Sequence, residues 1–362
     1  MKVLVLNSGS SSVKYALFDS HKLIKSALIE RVENHDETIA GILSQIGRID
    51  AVGHRVVHGG ETYTDPVRID ATVIQAIEDL IPLAPLHNRA NLAGIKAVLR
   101  LFPDIPQIAV FDTSFHQSIP DYAYRYALPE TLYTLNKIRR YGFHGTSHHF
   151  LLKAAAEYLK RPIHSLNLIT FHLGNGDSVC AIQNGKSIDI SMGFTPLEGL
   201  IMGTRSGDID PEIVIYLQQH TQMRPEEIDT LLNKESGLKG LCGMSDMRDV
   251  AKAARHGDEK AQLAINMFTY HAKKYLGSYF AVLGRVDGII FSGGIGEHSA
   301  MIREKILHGL NHMGIEIDTA KNTQESTKTF EISTPDSKIK VLATHTDEEL
   351  EIALETMCII TQ

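Results

Sequence analysis

The sequence has only three cysteines among its 362 residues, no tryptophan and no long apolar run. Cys180, Cys242 and Cys358 are scattered and odd in number, so they offer neither a disulfide framework nor a zinc site. No stretch approaches the roughly 20 apolar residues of a membrane-spanning helix, and the chain opens on a strand-like run without a charged leader. These absences favour a soluble protein of a reducing compartment, which we expect to be the cytoplasm.

Charge and length further restrict the kind of protein that this sequence can encode. The formal net charge is −7, both signs are interspersed, and no basic tract appears. This pattern argues against general nucleic-acid binding and against a membrane partner. A chain of 362 residues exceeds what a single core usually supports, so we expect two domains.

The two best-known phosphate-binding motifs are missing as well. No Gly-x-x-x-x-Gly-Lys-Ser/Thr string occurs, and no Gly-x-Gly-x-x-Gly follows the first strand. Three apolar runs nevertheless break directly into small Gly- or Ser-rich turns, at residues 7–12, 174–176 and 292–296. Turns without bulky side chains form nests of backbone N–H donors for phosphate oxygens. Three such turns predict a protein that binds a polyphosphate.

The first turn joins two strand-like runs, residues 3–6 and 13–18, and so predicts a hairpin with polar groups at its tip. Asn7 can offer an amide to a metal-bound water, and Lys14 carries a point charge for a phosphate. The alternative is an ordinary surface hairpin with a polar turn.

Strand and helix patterns alternate along the chain, which favours an α/β architecture. Residues 50–58 read as a strand whose period of two puts Gly53, Arg55 and Val57 on one face. Further strands are predicted at 107–111, 168–172 and 288–291, and helices at 259–283, 299–310 and after a capping box at 346–349. One early and two late strand–turn signals are typical of a duplicated α/β unit with a cleft between its copies.

Ionisable residues also cluster among Gly, Pro and aromatic neighbours, at residues 85–88, 111–116, 141–148 and 203–208. Loop residues of this kind, carried by rigid strands, are where catalytic groups concentrate. A single histidine in such a setting is more often a structural hydrogen-bonder. His144 and His148, four residues apart, could share a helix face and bind zinc, but Gly145 is a poor helix former and no His-Glu-x-x-His string supports this.

The strings at residues 7–12, 53–60, 141–148, 172–176 and 202–205 resemble those of the acetokinase family, and matching segments run through nearly the whole chain. The resemblance implies the α/β fold of the actin, sugar kinase and heat-shock ATPase group, with two RNase-H-like domains around a central nucleotide cleft. The domains would be residues 1–112, with the helix 346–362 returning to them, and residues 113–345. Family members are typically homodimers. The region between Asp19 and Asp50 is shorter than in the family, and His298 stands where Asn is usual.

The resemblance also implies an activity, the reversible transfer of the ATP γ-phosphoryl group to acetate, which gives acetyl phosphate and ADP. Arg55, Arg205 and His144 would converge on the transferring group, where charge spreads over three oxygens and the planar arginine fork fits. Asp112 would orient the shell of Mg²⁺ (or Mn²⁺), and Asn7 and Glu348 match the family's metal positions. Surface ion pairs remain the alternative for the arginines, and a helix-capping role remains the alternative for Glu348.

By the same resemblance, four residues would line the pocket for the acyl methyl group: Val57, Leu86, Phe143 and Pro196. A valine at position 57 favours acetate over propionate, although one methylene is worth only about 1–3 kcal/mol. The implied nucleotide contacts are Lys14, His172, Leu173, Gly174, Asn175, Gly176, Asp246, Met247, Arg248, Gly294, Ile295, Gly296, Glu297 and His298. An exposed charged loop is the alternative for Asp246 and Arg248.

Two other functions stay open on the sequence alone. A sugar, propionate or butyrate kinase would share the fold, but a hydroxyl acceptor needs a general base, whereas a carboxylate acceptor calls for a cationic clamp such as Arg55. A nucleotide-dependent switch protein of the actin or heat-shock type would be expected to carry a client-binding domain after the third turn, whereas we expect this chain to end on one helix soon after that turn.

Overall fold

Two sheets organise the computed structural model, which describes residues 1–9, 12–85 and 87–361. Each sheet belongs to its own unit of the chain. The first unit comprises Met1–Gln117, Phe143–Phe150 and Asp347–Gln362, and the second comprises Ser118–Gly142 and Leu151–Thr346. Among the described residues, no helix has both the length and the apolar character needed to cross a membrane.

The first sheet has the order β3-β2-β1-β4-β6-β5. Its strands are β1 Lys2–Ser8, β2 Ser12–Asp19, β3 Lys22–Glu30, β4 Ala51–Val56, β5 Val67–Arg68 and β6 Gln107–Phe111. The first three strands pair antiparallel, whereas β1, β4 and β6 run parallel, and β5 is an antiparallel edge. The carboxyl ends of the three parallel strands β1, β4 and β6 therefore lie side by side, and we call this end of the sheet its edge.

The second sheet has the order β11-β12-β10-β7-β8-β9. Its strands are β7 Leu168–Leu173, β8 Asp177–Gln183, β9 Lys186–Ile190, β10 Gly288–Ser292, β11 Phe330–Glu331 and β12 Lys340–Ala343. The pairing repeats that of the first sheet, with an antiparallel run β7-β8-β9, a parallel run β7-β10-β12 and an antiparallel edge β11. The α/β fold class is confirmed, and the repeated topology agrees with a duplicated unit.

The helices surround these sheets. They are α1 His35–Ile46, α2 Ala71–Asp79, α3 His87–Leu101, α4 Asp121–Tyr124, α5 Glu130–Asn136, α6 Gly145–Leu159, α7 Glu212–Thr221, α8 Pro225–Lys234, α9 Gly237–Cys242, α10 Met247–Arg255, α11 Glu259–Leu283, α12 Gly293–His298, α13 Ala300–Leu307, α14 Thr319–Asn322 and α15 Glu348–Thr361. Short 3₁₀ turns lie at Ile81–Leu83, Ser114–Ser118, Ile163–Ser165 and Asn311–Met313.

Several boundaries differ from the expectation. The Gly-rich segment 292–296 was expected to be a turn, but Ser292 ends β10 and residues 293–296 begin α12. Helix α13 is shorter than the predicted 299–310. Asp347 caps α15, because its Oδ1 accepts a hydrogen bond from Leu350 N at 2.8 Å, in place of the predicted box at 346–349. α11 has the predicted bounds.

The two units also have different boundaries from the predicted domains, which were residues 1–112 and 113–345. Residues 113–117 and 143–150 belong to the first unit. The reason lies at Gly145, whose N–H donates to Asp112 O at 2.8 Å and whose missing side chain lets the backbone approach that carbonyl closely. α6 thus begins in the first unit and continues into the second.

Strand β1 of the first sheet is buried on both faces, and its successive side chains alternate between two clusters. Val3 and Val5 pack in one cluster with Ile352 of α15. Leu4 and Leu6 pack in another cluster with residues of α1 and α3. The C-terminal helix α15 therefore covers one face of the first unit, and its first turn reaches the edge where the parallel strands end.

Replacement of Gly53 tests this packing. A Cβ at Gly53 would lie 2.9 Å from Ile352 Cγ2 and closer still to Thr356 Oγ1. We expect Gly53→Ala to lower the free energy of unfolding by about 1–3 kcal/mol through overpacking. Gly41→Ala in α1 is the matched control, because no described atom lies within 4 Å of its Cβ position and alanine favours a helix. Urea denaturation followed by circular dichroism measures both, and equal stability of the two variants would contradict the packing.

Candidate active site

Arg55 and Asp112 form a bidentate ion pair at the edge of the first sheet. Arg55 lies on β4 and Asp112 directly follows β6, its parallel neighbour. Arg55 Nε and Nη2 donate to Asp112 Oδ1 and Oδ2 at 2.9 and 2.7 Å. The two side chains are only 18% and 2% exposed. A pair this far removed from water loses much of its hydration energy, so its presence points to function more than to stability.

Glu348, the first residue of α15, adds a second carboxylate. Its Oε2 lies 3.5 Å from Arg55 Nη1. Burial by itself lowers the pKa of Arg55, but the charges of Asp112 and Glu348 outweigh it and raise the pKa, so the guanidinium stays protonated. Burial raises the pKa of Asp112, which Arg55 only partly offsets. We call Arg55, Asp112 and Glu348 the edge cluster; one cation there faces two carboxylates.

Asn7 brings an amide to the same edge. It lies on β1, and because Leu6 pairs with His54, Asn7 and Arg55 occupy the next register position on the two strands. The amide oxygen of Asn7 and the carboxylates of Asp112 and Glu348 are the hard oxygen ligands that Mg²⁺ prefers. The chemistry of this donor set therefore fits a magnesium ion.

Lys14 also lies in the first unit, opposite Asn7 in the β1–β2 hairpin. Its Nζ lies 2.6 Å from Glu349 Oε1, on the residue that follows Glu348. The lysine predicted to contact a phosphate is thus held by the first turn of α15. The hairpin itself is confirmed, whereas Ser10 and Ser11 of its turn lie outside the described residues.

His144 does not share a helix face with His148, because it precedes α6 and adopts the left-handed region at φ +59°. Its carbonyl accepts a hydrogen bond from His148 N at 3.0 Å. His148 is buried beside His116, with ring centroids 5.7 Å apart. The zinc alternative, which required both rings on one helix, therefore loses its basis.

Of the residues predicted to line the acyl pocket, Phe143 and Val57 belong to the first unit. Phe143 is buried, its carbonyl lies 3.0 Å from His116 Nε2, and its ring packs edge-on against His58. Burial lowers the pKa of His116 to about 4, so this histidine is neutral at pH 7. Val57 is half-buried just after β4. Leu86 lies outside the described residues.

Two asparagines of α3 hold the backbone at the carboxyl ends of β1 and β4, and sequence reasoning assigned neither of them a role. Asn91 accepts from Val57 N at 3.1 Å and donates to Ser8 O at 2.9 Å. Asn88 accepts from His58 N and donates to His58 O, both at 3.0 Å. Both amides are buried. Their spacing of three residues places them on one face of the helix, and that polar face was the available signal.

The second unit contains a cavity of about 820 Å³ beside the turn after β7 and the starts of α10 and α12. This volume lies in the range of small-molecule sites, roughly 300–1,000 Å³. Predicted nucleotide residues among its lining are Gly174, Asn175, Asp246, Met247, Arg248, Gly294, Ile295 and His298. Sequence reasoning missed Ser245, Ala251, Arg255 and Ser299, which also line it.

The other predicted nucleotide residues of this unit do not line the cavity: His172, Leu173, Gly176, Gly296 and Glu297. Leu173 and Gly296 are buried behind it. Glu297 Oε2 lies 2.9 Å from His345 Nδ1.

Asp246 is the N-cap of α10, where its Oδ1 accepts from Arg248 N at 2.8 Å. Hydrogen bonds from the Arg248 side chain and backbone lower the pKa of Asp246. Arg248 itself is 91% exposed. Asp246 therefore fixes the start of α10, and the exposed Arg248 side chain lines the cavity beside it.

Arg205 lies in the loop between β9 and α7. Its Nη1 donates to Pro196 O at 3.1 Å, so the arginine contacts a residue that was predicted for the acyl pocket. Leu238 N donates to Met202 O at 2.9 Å and ties the loop to α9. Burial lowers the pKa of Arg205, and the charge of Asp177 opposes this. Asp177 was not predicted, although an acid directly after Gly-Asn-Gly was visible in the sequence.

A protein-family model described as the acetokinase family matches residues 38–354. The chain belongs to the acetokinase family. It is 48% identical to an acetate kinase of Desulfotalea psychrophila over 403 aligned positions, which cover 99% of this chain and 100% of that protein. It is 50% identical to an acetate kinase of Caldicellulosiruptor saccharolyticus, with 98% of each chain covered. The 403 aligned positions exceed the 362 residues here, so that relative carries internal residues that this chain lacks.

Solved structures give the same family. The crystal structure of Porphyromonas gingivalis acetate kinase superposes with a TM-score of 0.93 at 41% identity and covers 99% of both chains. A propionate kinase from Francisella tularensis superposes with a TM-score of 0.92, also at 41% identity and 99% coverage of both chains. Members of this fold and family therefore include kinases named for different short acids.

Loss of Arg55 tests the electrostatics of the edge cluster. Arg55→Leu leaves Asp112 and Glu348 without their cation, so we expect the free energy of unfolding to fall by about 3 kcal/mol. Adding Asp112→Asn removes one of the stranded charges and should recover a large part of the loss. Urea denaturation followed by circular dichroism measures both.

Arg248→Leu is the matched control, since this arginine also pairs with an aspartate but is exposed. It should leave the unfolding midpoint unchanged. A double variant no more stable than Arg55→Leu alone would show that the edge cluster is not held by charge.

Proposed function

We propose that this protein is a phosphotransferase that moves the γ-phosphoryl group of ATP to acetate, reversibly, and forms acetyl phosphate and ADP. The observation that carries the proposal is the buried bidentate Arg55–Asp112 pair at a strand edge, in a chain that belongs to the acetokinase family. Relatives about half identical over nearly their whole length are named acetate kinases. That agreement supports acetate as the acceptor.

The chemistry needs positioning and charge more than proton transfer. An oxygen of acetate bonds to the γ-phosphorus while the bond from phosphorus to the β–γ bridging oxygen breaks, and ADP leaves with that electron pair. Acetate is already ionised near pH 7, so no base is required. Asp112 is occupied by both arms of the Arg55 fork, which supports a role in holding the guanidinium rather than in taking a proton.

Arg55 is suited to the group in transfer because its fork matches oxygens that carry the spread negative charge. His144 precedes α6 in the first unit, and we assign it a donor role towards the same group. Arg205 of the second unit is assigned a second cationic role in this reaction. An arginine in such a role is worth about 10³–10⁵ in rate.

We assign Mg²⁺, or Mn²⁺ in its place, to Asn7 and Glu348, with Asp112 orienting the surrounding shell. Their oxygens fit a hard cation. When bound, the ion supplies charge neutralisation for the phosphate oxygens. The excess of carboxylates over cations in the edge cluster supports this assignment.

The nucleotide is assigned to the cavity of the second unit. Its size and its Gly174–Asn175 turn support a bound ATP or ADP. The acyl methyl group is assigned to Val57, Leu86, Phe143 and Pro196. A homodimeric assembly and a cytoplasmic location stay predictions from the sequence.

A panel of acids tests the acceptor. With ATP, Mg²⁺ and hydroxylamine, we expect hydroxamate from acetate and a weaker yield from propionate, because each extra methylene costs about 1–3 kcal/mol in a closed pocket. ATP turnover without hydroxamate from any short acid would contradict the proposal and favour a nucleotide-dependent switch. Products from a hexose alone would favour a sugar kinase.

Val57→Ala sharpens the same assay. The wider pocket should raise the ratio of kcat/KM for propionate over acetate several-fold. Val67→Ala on the edge strand β5 is the matched control and should leave the ratio unchanged. An unchanged ratio in Val57→Ala would remove Val57 from the acyl pocket.

A further inference from the structure

Asp177 is a buried acid at the phosphate-type turn of the second unit. It begins β8, directly after residues 174–176, and its side chain is 0% exposed. Its Oδ1 accepts a hydrogen bond from Gly174 N at 2.5 Å. Its Oδ2 is buried and receives no hydrogen bond from any residue that the structure describes. A buried carboxylate with half its acceptor capacity unused is costly unless a charge compensates it.

The cation that acts on this carboxylate is Arg205. The loop that carries it lies against the same turn, because Gly203 N donates to Asn175 O at 3.3 Å. A Cβ at Gly203 would lie 2.5 Å from Asn175 Oδ1, so the two segments are in close contact. Burial raises the pKa of Asp177 well above its ordinary value, and the hydrogen bond from Gly174 N and the charge of Arg205 only partly offset this. Burial likewise lowers the pKa of Arg205, and the charge of Asp177 opposes that change.

Among the described residues, the hydrogen-bond partners of the Arg205 side chain are neutral. Its Nη1 donates to Pro196 O at 3.1 Å and lies 3.5 Å from Met202 Sδ. A carbonyl and a thioether fix one nitrogen but supply no counter-charge. In a site from which water is largely excluded, a carboxylate acts on the guanidinium far more strongly than either.

We propose that Asp177 is a positioning residue for Arg205. One carboxylate oxygen fixes the Gly174–Gly176 turn, and the negative charge holds the guanidinium in the orientation that the reaction uses. Asp177 does not touch the reacting atoms in this scheme. The inference rests on the role of Arg205 in the proposed function.

The two tasks of Asp177 can be separated by substitution. Asp177→Asn keeps an oxygen for Gly174 N but removes the charge, whereas Asp177→Ala removes both. We expect Asp177→Asn to lower kcat for acetyl phosphate formation about tenfold and to leave KM for ATP within about twofold. Asp177→Ala should in addition weaken ADP binding, measured by calorimetry, because the turn loses its internal acceptor.

The decisive comparison uses double variants in which Asp177→Asn is combined with a substitution of Arg205. With Arg205→Lys, which keeps a cation, the loss of kcat should persist. With Arg205→Ala, Asp177→Asn should cause no further loss, because nothing remains for the carboxylate to hold. Asp189→Asn is the matched control, a partly buried acid of the same sheet that interacts with Arg140, and it should leave kcat unchanged.

The outcomes distinguish failure of this inference from failure of the proposed function. A native kcat in Asp177→Asn, or losses that multiply in the chain with Arg205→Ala, would overturn the inference while leaving the proposed function intact. Native activity of Arg205→Ala by itself would instead overturn the assigned role of Arg205. Native ADP affinity would show that Asp177→Asn has folded. If Asp177→Asn does not fold, Asp177→Ser replaces it, because serine also offers an oxygen acceptor but is smaller, and the same loss of kcat is expected.

Discussion

The charge-assisted pairing of Arg55 with Asp112, closed by Glu348, is the interaction on which the candidate site of the first unit depends. It exists because β4 and β6 end side by side and because α15 returns from the far end of the sequence to place its first residue there. Desolvating one guanidinium and two carboxylates costs more than the pair returns by itself. The arrangement makes physical sense when phosphate oxygens and a hard cation complete the charge balance.

The second unit uses the same topology for a different task. Its sheet repeats the strand order of the first, but the turn after β7 and the starts of α10 and α12 frame a cavity instead of a cluster of charges. Its buried acid, Asp177, directly follows that turn at the start of β8, and the charge of Arg205 acts on it. One fold thus carries a buried cluster of charged side chains in one copy and a ligand-sized space in the other, in keeping with the rule that function depends on the site and not on the fold.

Local signals predicted much of this from the sequence. Periodicity gave α11 its bounds, alternation put Gly53 and Arg55 on the face of β4 that meets α15, and the Gly-Asn-Gly turn marked the cavity. Long-range contacts were beyond that reasoning. The amides Asn88 and Asn91 act only once α3 packs across the ends of β1 and β4, and the Gly-rich segment at 293–296 becomes helical because tertiary packing outweighs the low helix propensity of glycine.

The most direct measurement is the rate of acetyl phosphate formation by Arg55→Lys. Lysine keeps a positive charge between Asp112 and Glu348 but loses the planar fork, so folding and ADP affinity should stay near native while kcat falls roughly 10²–10³-fold. A variant with native affinity and a kcat within about twofold of the native enzyme would contradict the account, because the guanidinium geometry would then have no part in the reaction.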